Sequence, residues 1–136
     1  ARFAELGVIA SMQPSHAIGD LHFAPARLGM ERLQFAYAWR SLLDAGAVIA
    51  GGSDAPVEVG DPKIELHGAT TRTDLSGHSG EGWHEDQAVS LESAVRMFTT
   101  AAAYAAFEQE RTGRIKVGAP AVHAVLPDTA ATGLQP

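Results

Sequence analysis

The sequence predicts an α/β fold with parallel strands, and two observations carry that expectation. First, a helical segment closed by a glycine and followed by a short apolar strand occurs twice, from Ala1 to Met12 and from Glu31 to Ala50. Second, both strands run directly into polar, turn-forming residues, Gln13-Pro14-Ser15-His16 and Gly51-Gly52-Ser53-Asp54, as the C-terminal ends of strands do in βα units. Taken in order, Ala1 to Leu6 reads as the end of a helix, Gly7 as its capping glycine, and Val8 to Met12 as a strand. From Glu31 to Ala45, Leu33, Ala36, Trp39, Leu42 and Leu43 recur near helical spacing; Gly46 ends that helix and Val48-Ile49-Ala50 follows as a second strand. Residues 51–89 hold seven glycines and two prolines among scattered apolar residues, which predicts a long ordered loop rather than regular structure. Ser90 is an N-cap for a helix through Phe98. Thr99 or Thr100 caps an Ala-rich helix through Gln109, in which Ala101 to Ala106 serve close packing, and Gly113 closes the region. Beyond Arg114, Ile115, Val117 and Val122 to Leu126 predict one or two short strands around Gly118-Ala119-Pro120, and the last ten residues read as a frayed tail.

The chain has 136 residues, 46% of them hydrophobic and 19% charged, with a mean hydropathy of −0.02. That is the composition of one soluble globular domain. Ten Lys and Arg against sixteen Asp and Glu give a net charge of −6. With no basic stripe to offset it, this argues against nucleic acid or anionic membrane as partner and leaves a small molecule as the ligand. No apolar run reaches the roughly 18 residues of a membrane-spanning helix. Ala1 to Leu6 is not read as a secretory signal, and the cytoplasm is taken only as the default compartment. Cysteine is absent, so disulfides, thiolate metal sites and Cys nucleophiles are excluded, and any metal must use His, Asp or Glu.

The sharpest chemical feature is Gly51-Gly52-Ser53-Asp54-Ala55-Pro56 after the second strand. The glycines allow a sharp turn and close approach, and Asp54 either caps its own turn or points into the ligand-binding face of the sheet. His16 holds the corresponding position after the first strand. Adjacent parallel strands would place it within roughly 5 to 10 Å of Asp54; otherwise it is a surface histidine. Asp20 and His22 add a second His and carboxylate nearby. His67, His78 and His84 are spaced too loosely for a metal motif. Trp83 either lines a substrate pocket or staples the long loop to the core. Arg72 either pairs with Asp74 or orients a ligand carboxylate. The Gly51 to Pro56 turn lacks both a phosphate-loop lysine and a Gly-x-Gly-x-x-Gly pattern, which disfavours a small anion-binding module.

Several separated motifs, in order, resemble the C-terminal part of the amidohydrolase superfamily. They are Phe3 to His16, Ala38 to Gly46, Gly52 to Val57, and Ala102-Ala103-Tyr104-Ala105 with Gly113 and Val117-Gly118. Within it they are most similar to the YtcJ-like branch, metal-dependent hydrolases that include N-substituted formamide deformylases. The resemblance covers residues 1–121. It implies a (β/α)8 barrel with a small β-sandwich and one or two divalent metals, zinc above all, at the C-terminal mouth of the barrel. Val8 to Met12 would be strand seven and Val48 to Gly51 strand eight. Residues 1–112 would form the end of the barrel and residues 113–136 a return into the sandwich.

By the same resemblance Asp54 would be the strand-eight aspartate, at once metal ligand and general base and acid in cleaving a C–N bond. His16 would touch substrate, with Trp83 and Arg72 as further substrate-binding candidates. The family's remaining metal ligands have no counterparts here. A (β/α)8 barrel takes about 250 residues, so the chain is expected to be a C-terminal portion, inactive alone, which needs the missing N-terminal part of a barrel. The alternative is a non-catalytic module that folds by self-association or against another polypeptide, because two short apolar strands otherwise expose their edges. After Val117-Gly118-Ala119-Pro120-Ala121 the family pattern of an Asp and an apolar strand is kept only partly, in Val122-His123-Ala124-Val125-Leu126.

Overall fold

A computed structural model describes residues 2–80 and 83–125. Helix α1 (Arg2–Leu6) leads into strand β1 (Ala10–Met12), which is followed by helices α2 (Pro14–Asp20), α3 (Ala24–Leu28), α4 (Met30–Leu33) and α5 (Trp39–Asp44). Strand β2 (Ile49–Gly51) comes next, then α6 (Pro62–Thr71), a 3₁₀ turn at Glu85–Gln87, α7 (Leu91–Phe98) and α8 (Thr100–Ala105). The strands pair in parallel, with Ala10 beside Ile49, Ser11 beside Ala50 and Met12 beside Gly51. Both polar strand ends therefore lie at one edge of one sheet, as expected.

The two helix-to-strand joints are built alike. At the first, Val8 N donates to Phe3 O and Gly7 N to Ala4 O; at the second, Ala47 N donates to Leu42 O and Gly46 N to Leu43 O. Gly7 and Gly46 have φ of 64° and 81°, the left-handed backbone that this closure requires. The core gathers around Trp39, Leu33, Ile49, Trp83, Ala94 and Met97, all but closed to solvent. Strand β1 is shorter than expected, beginning at Ala10 rather than Val8, and β2 begins at Ile49 rather than Val48, although the Val48 carbonyl still accepts from Ala10 N.

Further expectations are corrected. The stretch 51–89 is not loop throughout, because α6 occupies its middle. Asp61 caps α6 through Lys63 N (2.9 Å), and Pro62 sits at the first helical position, where its missing N–H costs nothing. The helix expected from Glu31 to Ala45 is broken into α4 and α5, with Tyr37 between them at a left-handed φ of 51°. Residues 114–125 hold no strand. Ile115, Val117, Val122 and Val125 are fully exposed there, and the apolar pattern finds no ladder among the described residues. Ser90 caps α7 as expected, accepting from Ser93 N. Thr99 precedes α8 without a side-chain cap, and α8 stops at Ala105 rather than Gln109. Gly82, Leu126 and the tail to Pro136 lie outside the described residues.

Two close approaches that require glycine bear on the sheet and the helix beside it. A Cβ on Gly51 would stand 2.7 Å from the Phe98 ring, and one on Gly68 would stand 2.9 Å from the Pro14 carbonyl. The first brings α7 onto β2; the second lets α6 lie directly on α2.

Candidate active site

The candidate site is assembled where β1 and β2 end. Gly52 N donates to Met12 O (3.1 Å), extending the pairing by one step and holding the two exits together. After β1 the chain enters α2 at once, so His16 sits on a helical first turn rather than in a loop. After β2 the turn is bridged by Ser53, whose Oγ accepts from Ala55 N, while Val57 N returns to Asp54 O. Gly52 does not need to be glycine for space. The left-handed residue of the turn is Asp54 itself, at φ 58°, a conformation that Asp and Asn tolerate better than other side chains. Asp54 is exposed, and its carboxylate makes no hydrogen bond or ion pair among the described residues, so it does not cap its own turn.

His16 faces the same loop. Its Nε2 is closed to solvent, has no hydrogen-bond partner among the described residues, and lies 3.9 Å from Glu58 Oε1. His16 thus meets the loop that carries Asp54 through Glu58, a residue with no signal in the sequence beyond its nearness to Asp54 along the chain.

Arg72 and Trp83 are placed differently. Arg72 is 1% exposed and Trp83 2%. The guanidinium donates from Nε to Trp83 O (2.9 Å) and from Nη1 to Tyr37 O (2.9 Å), with Nη2 3.5 Å from Ala36 O. It also lies over the rings of Trp39 and Trp83, 4.8 and 5.5 Å from their centroids, a cation–π geometry. Burial pushes its pKa down to about 10, so it stays charged at neutral pH. Arg72 does not pair with Asp74, and Trp83 takes the loop-stapling alternative. Burial also raises the Tyr37 hydroxyl, which donates to Asp20.

Asp74 instead organises its own loop. It accepts from the Ser76 hydroxyl (2.6 Å), the Ser76 amide (2.9 Å) and the His78 amide (3.0 Å), with His22 Nε2 3.1 Å away. Led by the Ser76 hydroxyl, these bonds pull its pKa from 3.8 to about 2. A carboxylate held below its unfolded value stabilises the loop above that unfolded value, and the effect is lost as pH falls through about 2. An NMR titration of the Asp74 carboxyl carbon should show the low inflection, and Ser76→Ala should move it upward. An inflection unmoved by that change would deny the hydroxyl its role.

His67 is buried near Thr71, Thr73 and the Asp74 carbonyl, and His78 stacks on His22 at 5.5 Å. Among the described residues no three His, Asp or Glu side chains gather as a metal ion would need, and no helix is long and apolar enough to cross a membrane.

A sequence model of the amidohydrolase family matches residues 1–133. The chain belongs to the amidohydrolase family. It is 30% identical over 125 residues to YtcJ of Bacillus subtilis (strain 168), covering 92% of this chain and 24% of that protein. It is 32% identical over 118 residues to the Arabidopsis thaliana protein LONG AFTER FAR-RED 3, covering 86% of this chain and 20% of that one. Its fold is similar to two solved structures described as uncharacterized metal-dependent hydrolases. That from Pyrococcus horikoshii OT3 has a TM-score of 0.76, and that from Pyrococcus furiosus 0.73, each at 26% identity and over 88% of this chain. The chain spans a quarter or less of the length of these amidohydrolase relatives and structural neighbours.

Proposed function

We propose that this chain supplies the catalytic carboxylate of a metal-dependent hydrolase that cleaves C–N bonds of amides or N-substituted formamides. The supporting observation is Asp54: an exposed, unengaged carboxylate just past the C-terminal end of a parallel strand, in the loop whose Glu58 lies beside His16. Family membership supports hydrolysis, a small-molecule substrate and a divalent metal. Residues 1–112 would be the last two βα units of a (β/α)8 barrel, and residues 113–136 a return into a β-sandwich.

A complete metal centre does not fit the described residues. In this proposal the segment gives one ligand, Asp54, and the others belong to further barrel units. A divalent ion held by Asp54 and those further ligands, zinc in this proposal, would supply Lewis acidity and lower the pKa of water toward about 7. Asp54 takes the proton from the attacking water as its oxygen bonds to the carbonyl carbon, then returns it to the nitrogen as the C–N bond breaks. His16 contacts the substrate. Arg72 and Trp83, closed to solvent, act behind the site by tying residues 36–39 to the end of α6.

Elemental analysis of the 136-residue chain after extensive dialysis should find near-zero metal. A stoichiometric ion would mean that this chain, or an oligomer of it, builds a centre of its own, which would overturn the one-ligand assignment. The sheet favours a second reading, a module that folds by pairing with another polypeptide. Among the described residues β1 and β2 pair only with each other, whereas parallel strands are ordinarily covered on both faces and along their edges. Sedimentation velocity separates the cases: association is expected from pairing, and a compact, well-folded monomer would contradict it.

A further inference from the structure

We infer that Glu65, on α6, is a positioning residue for His16, fixing the helical turn from which that histidine faces the candidate site. The inference rests on the role proposed above for His16.

Helix α2 lacks a cap of its own, because Gln13 makes no side-chain bond to it and Pro14, at the first helical position, has no N–H. The next free donor, Ser15 N, gives its hydrogen bond to Glu65 Oε2 at 2.9 Å, across 50 residues of sequence. Glu65 is 1% exposed and Ser15 3%. Among the described residues no Lys, Arg or His forms an ion pair with Glu65. Burying an unpaired carboxylate is costly, whereas a negative group at the start of a helix is favoured by the exposed N–H dipoles there. The contact depends on Gly68, one turn along α6, where any side chain would strike the Pro14 carbonyl. His16 is the residue after Ser15, and its Nε2 is enclosed, without a partner, and directed toward Glu58. A carboxylate arriving with the β2–α6 segment therefore sets the backbone that aims an imidazole on the β1–α2 segment. Displacements of about 1 Å at such a contact can change rates by as much as a hundredfold.

The test needs neither metal nor a known substrate in its first arm. In the full chain, Glu65→Leu should make Ser15 amide hydrogen exchange about tenfold to a hundredfold faster. It should also average the three-bond couplings that report the His16 χ1 rotamer, while Glu65→Gln, which keeps an acceptor, preserves both. Glu65→Asp, which retains the charge but shortens the reach, serves if the Leu variant does not fold, and should behave like it. Unchanged His16 couplings in a folded Leu or Asp variant would overturn the inference.

The second arm measures formanilide hydrolysis by a polypeptide that carries this segment together with the rest of the barrel. Glu65→Leu should lower kcat/KM about tenfold in the parent and have no further effect when His16 is already Ala. Equal losses in both backgrounds would mark Glu65 as structural only. If His16→Ala alone leaves hydrolysis intact, the role proposed for His16 fails, and the rotamer data show that failure separately from any failure of the Glu65 contact.

Discussion

Asp54→Asn, in a polypeptide carrying the complete site, is expected to lower kcat by about a hundredfold to ten-thousandfold with fold and thermal stability unchanged. Asn is the informative replacement. It is nearly isosteric and, like Asp, tolerates the left-handed φ of 58° found at this position. It therefore removes the proton acceptor and the negative charge without disturbing the turn bridged by Ser53. Asp54→Ala would mix the chemical loss with a backbone penalty of roughly 1 kcal/mol. Steady-state kinetics with formanilide, beside circular dichroism and a melting curve, make the comparison; an Asn variant that turns over at the parent rate would remove Asp54 from the mechanism.

The largest effect on stability is expected at Arg72. Arg72→Ala should destabilise the chain by about 3–5 kcal/mol, because it strips hydrogen bonds from the buried carbonyls of Trp83 and Tyr37 and leaves a void between two indoles. Arg72→Lys should recover only a minor part. An ammonium is a point charge that cannot reproduce the planar fork directed at two carbonyls or its stacking on the rings. Urea unfolding measures this as a lower midpoint at unchanged slope. A midpoint within error of the parent would show that the guanidinium contributes no net stability. The indole Nε1 atoms of Trp39 and Trp83 are buried without partners among the described residues, a desolvation cost that the packing around Arg72 offsets in the folded chain.

The sequence made the joints legible and obscured the middle. Gly7, Gly46 and Ser90 announce their caps because each role depends on one residue type at one local position. Helix α6 announces its start through Asp61-Pro62, yet its interior hides it. Glu65 and His67 lie buried with Leu66, Gly68 and Ala69, so no apolar stripe marks its inner face. The Glu31 to Ala45 pattern is helical in period, but the left-handed Tyr37 divides it, and nothing in a tyrosine signals positive φ. The apolar residues after Arg114 have strand character without a ladder, because hydrogen-bonding partners are a property of the whole sheet rather than of a segment. The positions of Asp54 and His16 could be read from the strand ends. Glu58 and Glu65 could not, since each reaches His16 or its turn from the far side of a crossover.

The repeated glycine closure at Gly7 and Gly46 also bears on the order in which the chain assembles. Each joint is sealed by hydrogen bonds reaching back no more than five residues, so little chain entropy is lost in making it, and it can form before any strand finds its neighbour. The knot at Arg72 joins residues 35 and 36 positions apart, and the bond from Ser15 to Glu65 spans 50. Contacts of that range slow folding because loop closure precedes their reward. The helix ends are thus early structure, and the turn that aims His16 takes its final form only when α6 docks.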